Sequence, residues 1–88
     1  MTTRYFVTYS GVKLPFNLVN ELREDEVNNR NTFFKGYYDE AGRLTGFDKL
    51  AYGDIELAHR YTWHDNGKLA SAEITDIDGD TKMLVFDA

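Results

Sequence analysis

The 88-residue chain contains no cysteine, a single proline and only two histidines. Without cysteine, the fold has no disulfide to stabilise it and no thiolate to bind zinc. No apolar run approaches the roughly 18 residues of a membrane span, and no apolar signal core follows residues 1–4. We therefore expect a soluble, cytoplasmic protein that does not contact membranes.

Basic side chains are also scarce. Ten lysines and arginines stand against fifteen acidic residues, which gives a net charge of −5. This charge opposes long contacts with phosphate backbones, so we expect no nucleic-acid partner. Residues 73–88 carry five carboxylates and one lysine, and residues 21–26 are also acidic. A solvated rim that keeps a sheet protein soluble is the favoured interpretation, and a contact surface is the alternative.

The residues that are present predict one β-sheet domain spanning 1–88. Hydrophobic residues make up 42% and aromatic residues 15%, which is enough for a small core. Alternating apolar positions indicate strands over residues 4–9, 12–19, 32–39, 43–52, 55–64, 68–77 and 82–86. Ser10-Gly11 is typical of a two-residue turn. Residues 21–30 support only a short helical turn, capped by Asn20 or Asp25.

A repeated segment sets the architecture. Residues 38–44 and 63–69, 25 positions apart, both run from an aromatic residue through a polar turn and a glycine to a basic residue and leucine. Each copy is typical of a β-hairpin. Strict alternation breaks at Leu44 to Phe47 and again at Leu69 to Ala72, so a β-bulge is expected after each turn. The residues predicted to face inward are Phe34, Gly36, Tyr38, His59, Tyr61 and Trp63.

These features predict an all-β fold, an antiparallel meander of about seven strands with one short helix. Such a sheet has one apolar face, and a single helical turn is too small to cover it. The sheet must then curl towards a small barrel, or two copies must pack face to face. We favour a homodimer.

Metal chemistry is not expected. Asp76, Asp78 and Asp80 resemble the opening of a calcium loop, but Thr81 stands where that loop needs glycine and Asp87 where it needs glutamate. The segment also contains Asp-Gly, which favours a plain hairpin turn.

The two histidines do not predict a metal site either. His59 and His64 are five apart on one strand, so they point to opposite faces. His59 is expected to be a core histidine with a hydrogen-bond partner. We expect no metal and no cofactor.

Catalysis is not expected either. Ser10 and Ser71 lack the Gly-x-Ser-x-Gly context of an activated nucleophile, and no glycine-rich phosphate loop occurs. We therefore expect a non-catalytic module that binds an unidentified protein. The candidate contacts are aromatic residues expected to point away from the core, and acidic residues. They are Phe6, Phe33, Tyr37, Glu24, Asp25, Asp76, Asp78 and Asp80.

Two other functions stay open. An acidic inhibitor or immunity-type protein would place its carboxylate-rich rim in the basic site of a toxin or nuclease. A small ligand-binding β-barrel would use His59, Tyr61 and Trp63 to line an interior pocket.

Residues 4–15 (RYFVTYSGVKLP), 29–33 (NRNTF) and 52–59 (YGDIELAH) resemble short bacterial proteins grouped as a domain of unknown function. The resemblance covers most of the chain and implies no established activity. The turns Gly42-Arg43-Leu44 and Gly67-Lys68-Leu69 resemble those of bacterial MORN-like and YD-type β-repeats. That resemblance implies repeated hairpins with structural or protein-binding roles, and no catalytic residues.

Overall fold

The computed structural model describes residues 2–11 and 13–87. They form seven strands and one short helix, which are β1 (Thr2–Ser10), β2 (Asn17–Leu22), α1 (Glu24–Val27), β3 (Thr32–Tyr38), β4 (Leu44–Ala51), β5 (Asp54–Trp63), β6 (Leu69–Thr75) and β7 (Thr81–Val85). All seven strands join one antiparallel sheet. The predicted all-β fold and strand number are confirmed.

The sheet is open, and its spatial order is β2-β1-β3-β4-β5-β6-β7. Strands β3 to β7 follow one another as a meander. The first hairpin is turned so that β2 lies outermost, and the chain crosses back past β1 through α1. The sheet does not close into a barrel, and β2 and β7 are its two edges.

Both predicted bulges are present. Tyr37 pairs with Gly46 and the next residue, Tyr38, pairs with Leu44, which leaves one extra residue, Thr45, in β4. In the next hairpin, pairing moves from Thr62 and Ser71 to Trp63 and Leu69, which leaves Ala70 extra in β6. The two extra residues are 25 positions apart, as the repeat requires. The shared break in alternation was therefore a reliable sequence signal.

The connection between β1 and β2 differs from the prediction. Instead of a tight turn at Ser10-Gly11 followed by a strand, residue 11 and residues 13–16 lie in a loop, and β2 begins at Asn17; Val12 lies outside the described residues. The alternating Leu14 and Phe16 pack against the core from this loop. Their alternation therefore reflects burial without strand pairing.

The start of the short helix also differs from the prediction. The residue before its first turn is Arg23, whose backbone N–H donates to the Glu26 carboxylate at 2.9 Å. Asn20 lies within β2 with φ of +62°, and Asp25 lies inside the helix. Neither residue caps the helix, because β2 runs on to Leu22 and the helix begins later than predicted.

One face of the sheet carries the core, and we call it the core face. Its buried residues are Phe6, Phe34, Phe47, Tyr61 and Ala72, and Phe47 is fully buried. The loop side chains Leu14 and Phe16, with Leu18 of β2, cover this face. We call the opposite face the outer face. No helix among the described residues is long and apolar enough to cross a membrane.

Candidate interaction surface

The three residues predicted to line an interior pocket lie in two different environments. His59 and Tyr61 are only 2% and 4% exposed. The His59 ring centroid lies 4.4 Å from that of Phe47 and 5.1 Å from that of Phe16. These rings pack directly on the His59 imidazole, and neither His59 nor Tyr61 is among the residues that line the groove described below. Their placement does not support the ligand-binding alternative for these two residues.

Burial also sets the ionisation of this pair. The Nδ1 atom of His59 lies 2.6 Å from the Tyr61 hydroxyl oxygen. Burial, with a smaller contribution from the Arg60 cation, lowers the pKa of His59 to about 4. Burial raises the pKa of Tyr61 to about 12. Both groups are therefore neutral near pH 7, as befits a core histidine and its hydrogen-bond partner.

Trp63 does line a groove, of about 270 Å³, between the hairpin of β3 and β4 and the loop before β2. Its indole N–H donates to the Leu44 carbonyl at 3.0 Å. The Arg43 guanidinium beside it is paired with Asp39 at 3.2 Å. Because its indole N–H already bonds within the chain, Trp63 offers a ligand mainly apolar contact in this groove.

The outer face carries a polar cluster that sequence reasoning missed. The Tyr37 hydroxyl donates to Asp48 at 2.6 Å, and the Arg60 guanidinium donates to the other Asp48 oxygen at 2.9 Å. Asp48 is only 5% exposed. Burial and then the hydrogen bond to Asp48 raise the pKa of Tyr37 to about 12. A buried carboxylate is thus satisfied by two neighbours that cover it.

Gly46 is the sequence feature that could have indicated this cluster. Gly46 lies between Tyr37 and Arg60 in one row across the sheet. A Cβ atom at Gly46 would lie 2.5 Å from the His59 carbonyl oxygen and 3.0 Å from Cδ of Arg60. Glycine inside a strand often marks such a close approach. Tyr37 lies on the outer face as predicted, but its hydroxyl is already used within the chain.

The two other aromatic candidates for partner contact, Phe33 and Phe6, lie on opposite faces of the sheet. Phe33 lies on the outer face, edge-on to Tyr5 with ring centroids 6.0 Å apart. The placement of Phe6 was wrong, because it is a core residue, 5% exposed and paired opposite Phe34. Strand β1 sits between β2 and β3, and this register turns Phe6 to the core face. Phe6 is therefore unavailable to a partner.

Glu24 and Asp25 lie exposed in α1. Asp25 is paired with Arg23 at 3.2 Å, and both side chains are mostly in solvent. Exposed pairs of this kind contribute little to stability.

Asp76, Asp78 and Asp80 come together in the exposed turn between β6 and β7, with carboxylate oxygens within 4.8 Å of one another. One Asp76 oxygen accepts from the backbone N–H groups of Asp78 and Asp80, each at 3.0 Å. Asp39 does the same for Ala41 and Arg43 in the first repeated turn, at 2.9 Å. Asp76 is thus a turn-forming residue. The hairpin turn itself was predicted from the sequence, but its likeness to the first repeated turn was not.

Four exposed apolar side chains lie on β7 and its flanks. Ile77 is 67% exposed, Met83 54%, Val85 78% and Phe86 37%. We call these four residues the β7 edge surface. Sequence alternation predicted the strand but not its position at the edge of the sheet, because period-two patterns do not report how strands are ordered.

The hydrogen bonds between β6 and β7 show which backbone groups of β7 point away from the sheet. The Asp76 N–H donates to the Asp80 carbonyl at 3.0 Å, and the Phe86 N–H donates to the Ala70 carbonyl at 2.9 Å. Because antiparallel residues alternate in the direction of their backbone groups, Lys82 and Leu84 also bond to β6. The backbone groups of residues 81, 83 and 85 therefore point away from the sheet, towards an edge at which no other described strand pairs.

The fold and this surface define an open antiparallel β-sheet protein. Its own loop packs on one face of the sheet, and the outward side of the edge strand β7 pairs with no other described strand. The chain belongs to a family of unknown function (DUF6156), whose sequence model matches residues 1–88. No curated protein and no solved structure matches it. The expected membership in a family of unknown function is confirmed.

Proposed function

We propose that the protein is a non-catalytic module that acts by binding another protein chain through the β7 edge surface. The observation that carries the proposal is that Met83 and Val85, 54% and 78% exposed, lie on a strand with an unpaired edge. Unpaired edges with apolar side chains add further strands readily, and soluble proteins usually block them.

The total accessible surface supports this proposal. It is 5839 Å², whereas a monomer of 10.2 kDa typically exposes about 5,300 Å². The excess of about 500 Å² is more than half of the roughly 800 Å² per partner that a stable interface buries. An open sheet that gains a partner would remove this excess.

A second candidate function is an acidic inhibitor or immunity-type protein. It is favoured by the three clustered carboxylates of Asp76, Asp78 and Asp80, which adjoin the start of β7. Glu73 pairs opposite Arg60 across β5 and β6, and does not belong to this cluster. Binding to a basic site through the cluster would weaken steeply with added salt, whereas binding through the β7 edge surface would not.

The proposal also includes a bacterial origin, a cytoplasmic location and MORN-like or YD-type hairpin repeats. A bacterial, cytoplasmic protein with MORN-like or YD-type hairpins would use its repeats as a scaffold for protein contact. The three similar turns at residues 39–43, 64–68 and 76–80 support this scaffold role.

Site-specific photo-crosslinking in the native cell tests the proposal. A photoreactive benzoylphenylalanine replaces Val85 in one variant and Tyr52 in a matched control, because both residues are 78% exposed and apolar. We expect a protein adduct at position 85 and none above background at position 52. Equal labelling at both positions, or no adduct at position 85, would contradict the proposal.

A further inference from the structure

We infer that the partner at this edge is a second copy of the same chain, bound by antiparallel pairing of β7 with β7. The two-fold axis passes between the Met83 residues of the two copies. This inference rests on the proposed function and names the partner. It joins two seven-stranded sheets into one continuous sheet.

The difference between the two edges supports a closed dimer. The other edge strand, β2, is irregular, with φ of +62° at Asn20, and its Glu21 is ion-paired with Arg4. Irregular and charged edges resist further pairing. Strand β7 has neither proline nor a residue with positive φ, and Lys82 is its one charged residue. A chain with one open edge forms a pair, whereas two open edges would allow a growing fibre.

The backbone of β7 fits this axis. With the axis at Met83, residue 81 lies opposite residue 85 of the second copy, and Met83 lies opposite Met83. The residues whose backbone groups point outward, 81, 83 and 85, then face one another as hydrogen-bonded pairs. An axis at Leu84 would place residue 81 opposite residue 87, beyond the end of the strand. The axis at Met83 therefore pairs all five strand residues.

The side chains fit as well. On the outer face, the exposed Met83 side chains of the two copies would adjoin, and Val85 would lie opposite Thr81. On the core face, Lys82 would lie opposite Leu84, so no like charges oppose each other across the paired strands. The exposed apolar side chains gain cover by this pairing, which supplies its driving force.

Engineered disulfides test the pairing, because the chain has no cysteine of its own. Residues in a hydrogen-bonded antiparallel pair have Cα atoms about 5.5 Å apart, which suits a disulfide. Under mild oxidation we expect Met83→Cys to form a covalent dimer. Val85→Cys is the same-strand control, because two residues 85 would be four positions apart in register, about 13 Å. Val19→Cys on β2 is the control for the other edge.

A mixture of Thr81→Cys and Val85→Cys chains should form the mixed disulfide, although neither variant on its own should form a disulfide-linked dimer. Met83→Cys that crosslinks no faster than Val85→Cys or Val19→Cys overturns the inference.

The failure of this inference is distinguishable from failure of the proposed function. If the wild-type chain sediments as a 10.2 kDa monomer while the photo-crosslink at position 85 captures a different protein, the self-pairing is wrong and the contact function stands. If neither a dimer nor a crosslink forms, both are wrong.

Discussion

Phe16, in the loop before β2, lies with its ring centroid 5.1 Å from that of His59 on β5. Phe47 lies on the same imidazole, at 4.4 Å. The loop therefore reaches across the sheet and completes the core where no second layer exists. This contact explains how a seven-stranded open sheet buries a histidine to 2% exposure.

His59 should make stability depend on pH. Its folded pKa of about 4 lies below its ordinary value of 6.5, so the unfolded chain binds the proton more tightly. The stabilising contribution is complete above about pH 6.5 and is lost as the pH falls towards 4. From about pH 7.5 to about pH 5 we expect a loss of roughly 2 kcal/mol in the free energy of unfolding, measured by urea denaturation.

His59→Gln should remove most of this slope, and the matched control His64→Gln should keep it. His64 directly follows β5, and its Nε2 atom is 2.8 Å from the Phe86 carbonyl oxygen. An unchanged slope in His59→Gln would contradict the account of a neutral core histidine.

The cluster on the outer face should be energetically coupled. Asp48→Ala leaves the Tyr37 hydroxyl and the Arg60 guanidinium without their shared acceptor, so it should cost about 2 kcal/mol. Tyr37→Phe should cost about 1 kcal/mol. In the double variant the two losses should fall short of additivity by about 1 kcal/mol, as measured by a double-mutant cycle.

The control for this cycle is Asp54→Ala, at the exposed start of β5, which should change stability by less than about 0.5 kcal/mol. Strict additivity of the Tyr37 and Asp48 substitutions would show that the hydrogen bond contributes nothing.

The turn between β6 and β7 should depend on one aspartate. Asp76 accepts from two backbone N–H groups, whereas the Asp78 side chain adds only charge to the cluster. Asp76→Ala should lower Tm by about 5 °C. Asp78→Ala should leave Tm unchanged or raise it slightly, because it relieves repulsion between like charges. Thermal unfolding followed by circular dichroism measures both, and equal losses would refute the assigned roles.

Local regularities of the chain predicted much of the fold. The strands over residues 32–77 and both bulges follow from alternation, because a pleated strand has a period of two and a bulge shifts it by one. Asp39 and Asp76 show the limit of repeat detection. Their turns share hydrogen bonds, but the third turn lacks the aromatic residue and the leucine that marked the first two copies.

Features set by tertiary position were not predictable. Alternation placed Phe6 and Tyr5 on opposite faces of β1, but the choice of core face depended on pairing with Phe34 in β3. The hydrogen bond from Tyr37 to Asp48 runs diagonally between β3 and β4, so it cannot be predicted from the spacing of the two residues in the sequence. Leu14 and Phe16 alternate as strand residues do, yet they pack from a loop. In each case the deciding partner is distant in sequence.

Amide hydrogen exchange along β7, followed by NMR, tests the central claim most directly. Leu84 bonds to β6 within one chain, whereas the N–H groups of Met83 and Val85 point to the open edge. If the edge is paired with a second copy, Met83 and Val85 should exchange as slowly as Leu84 in concentrated solution and faster on dilution. If their exchange is as fast as that of an unstructured peptide at every concentration, while Leu84 stays protected, the edge is unpaired and the self-pairing account is wrong.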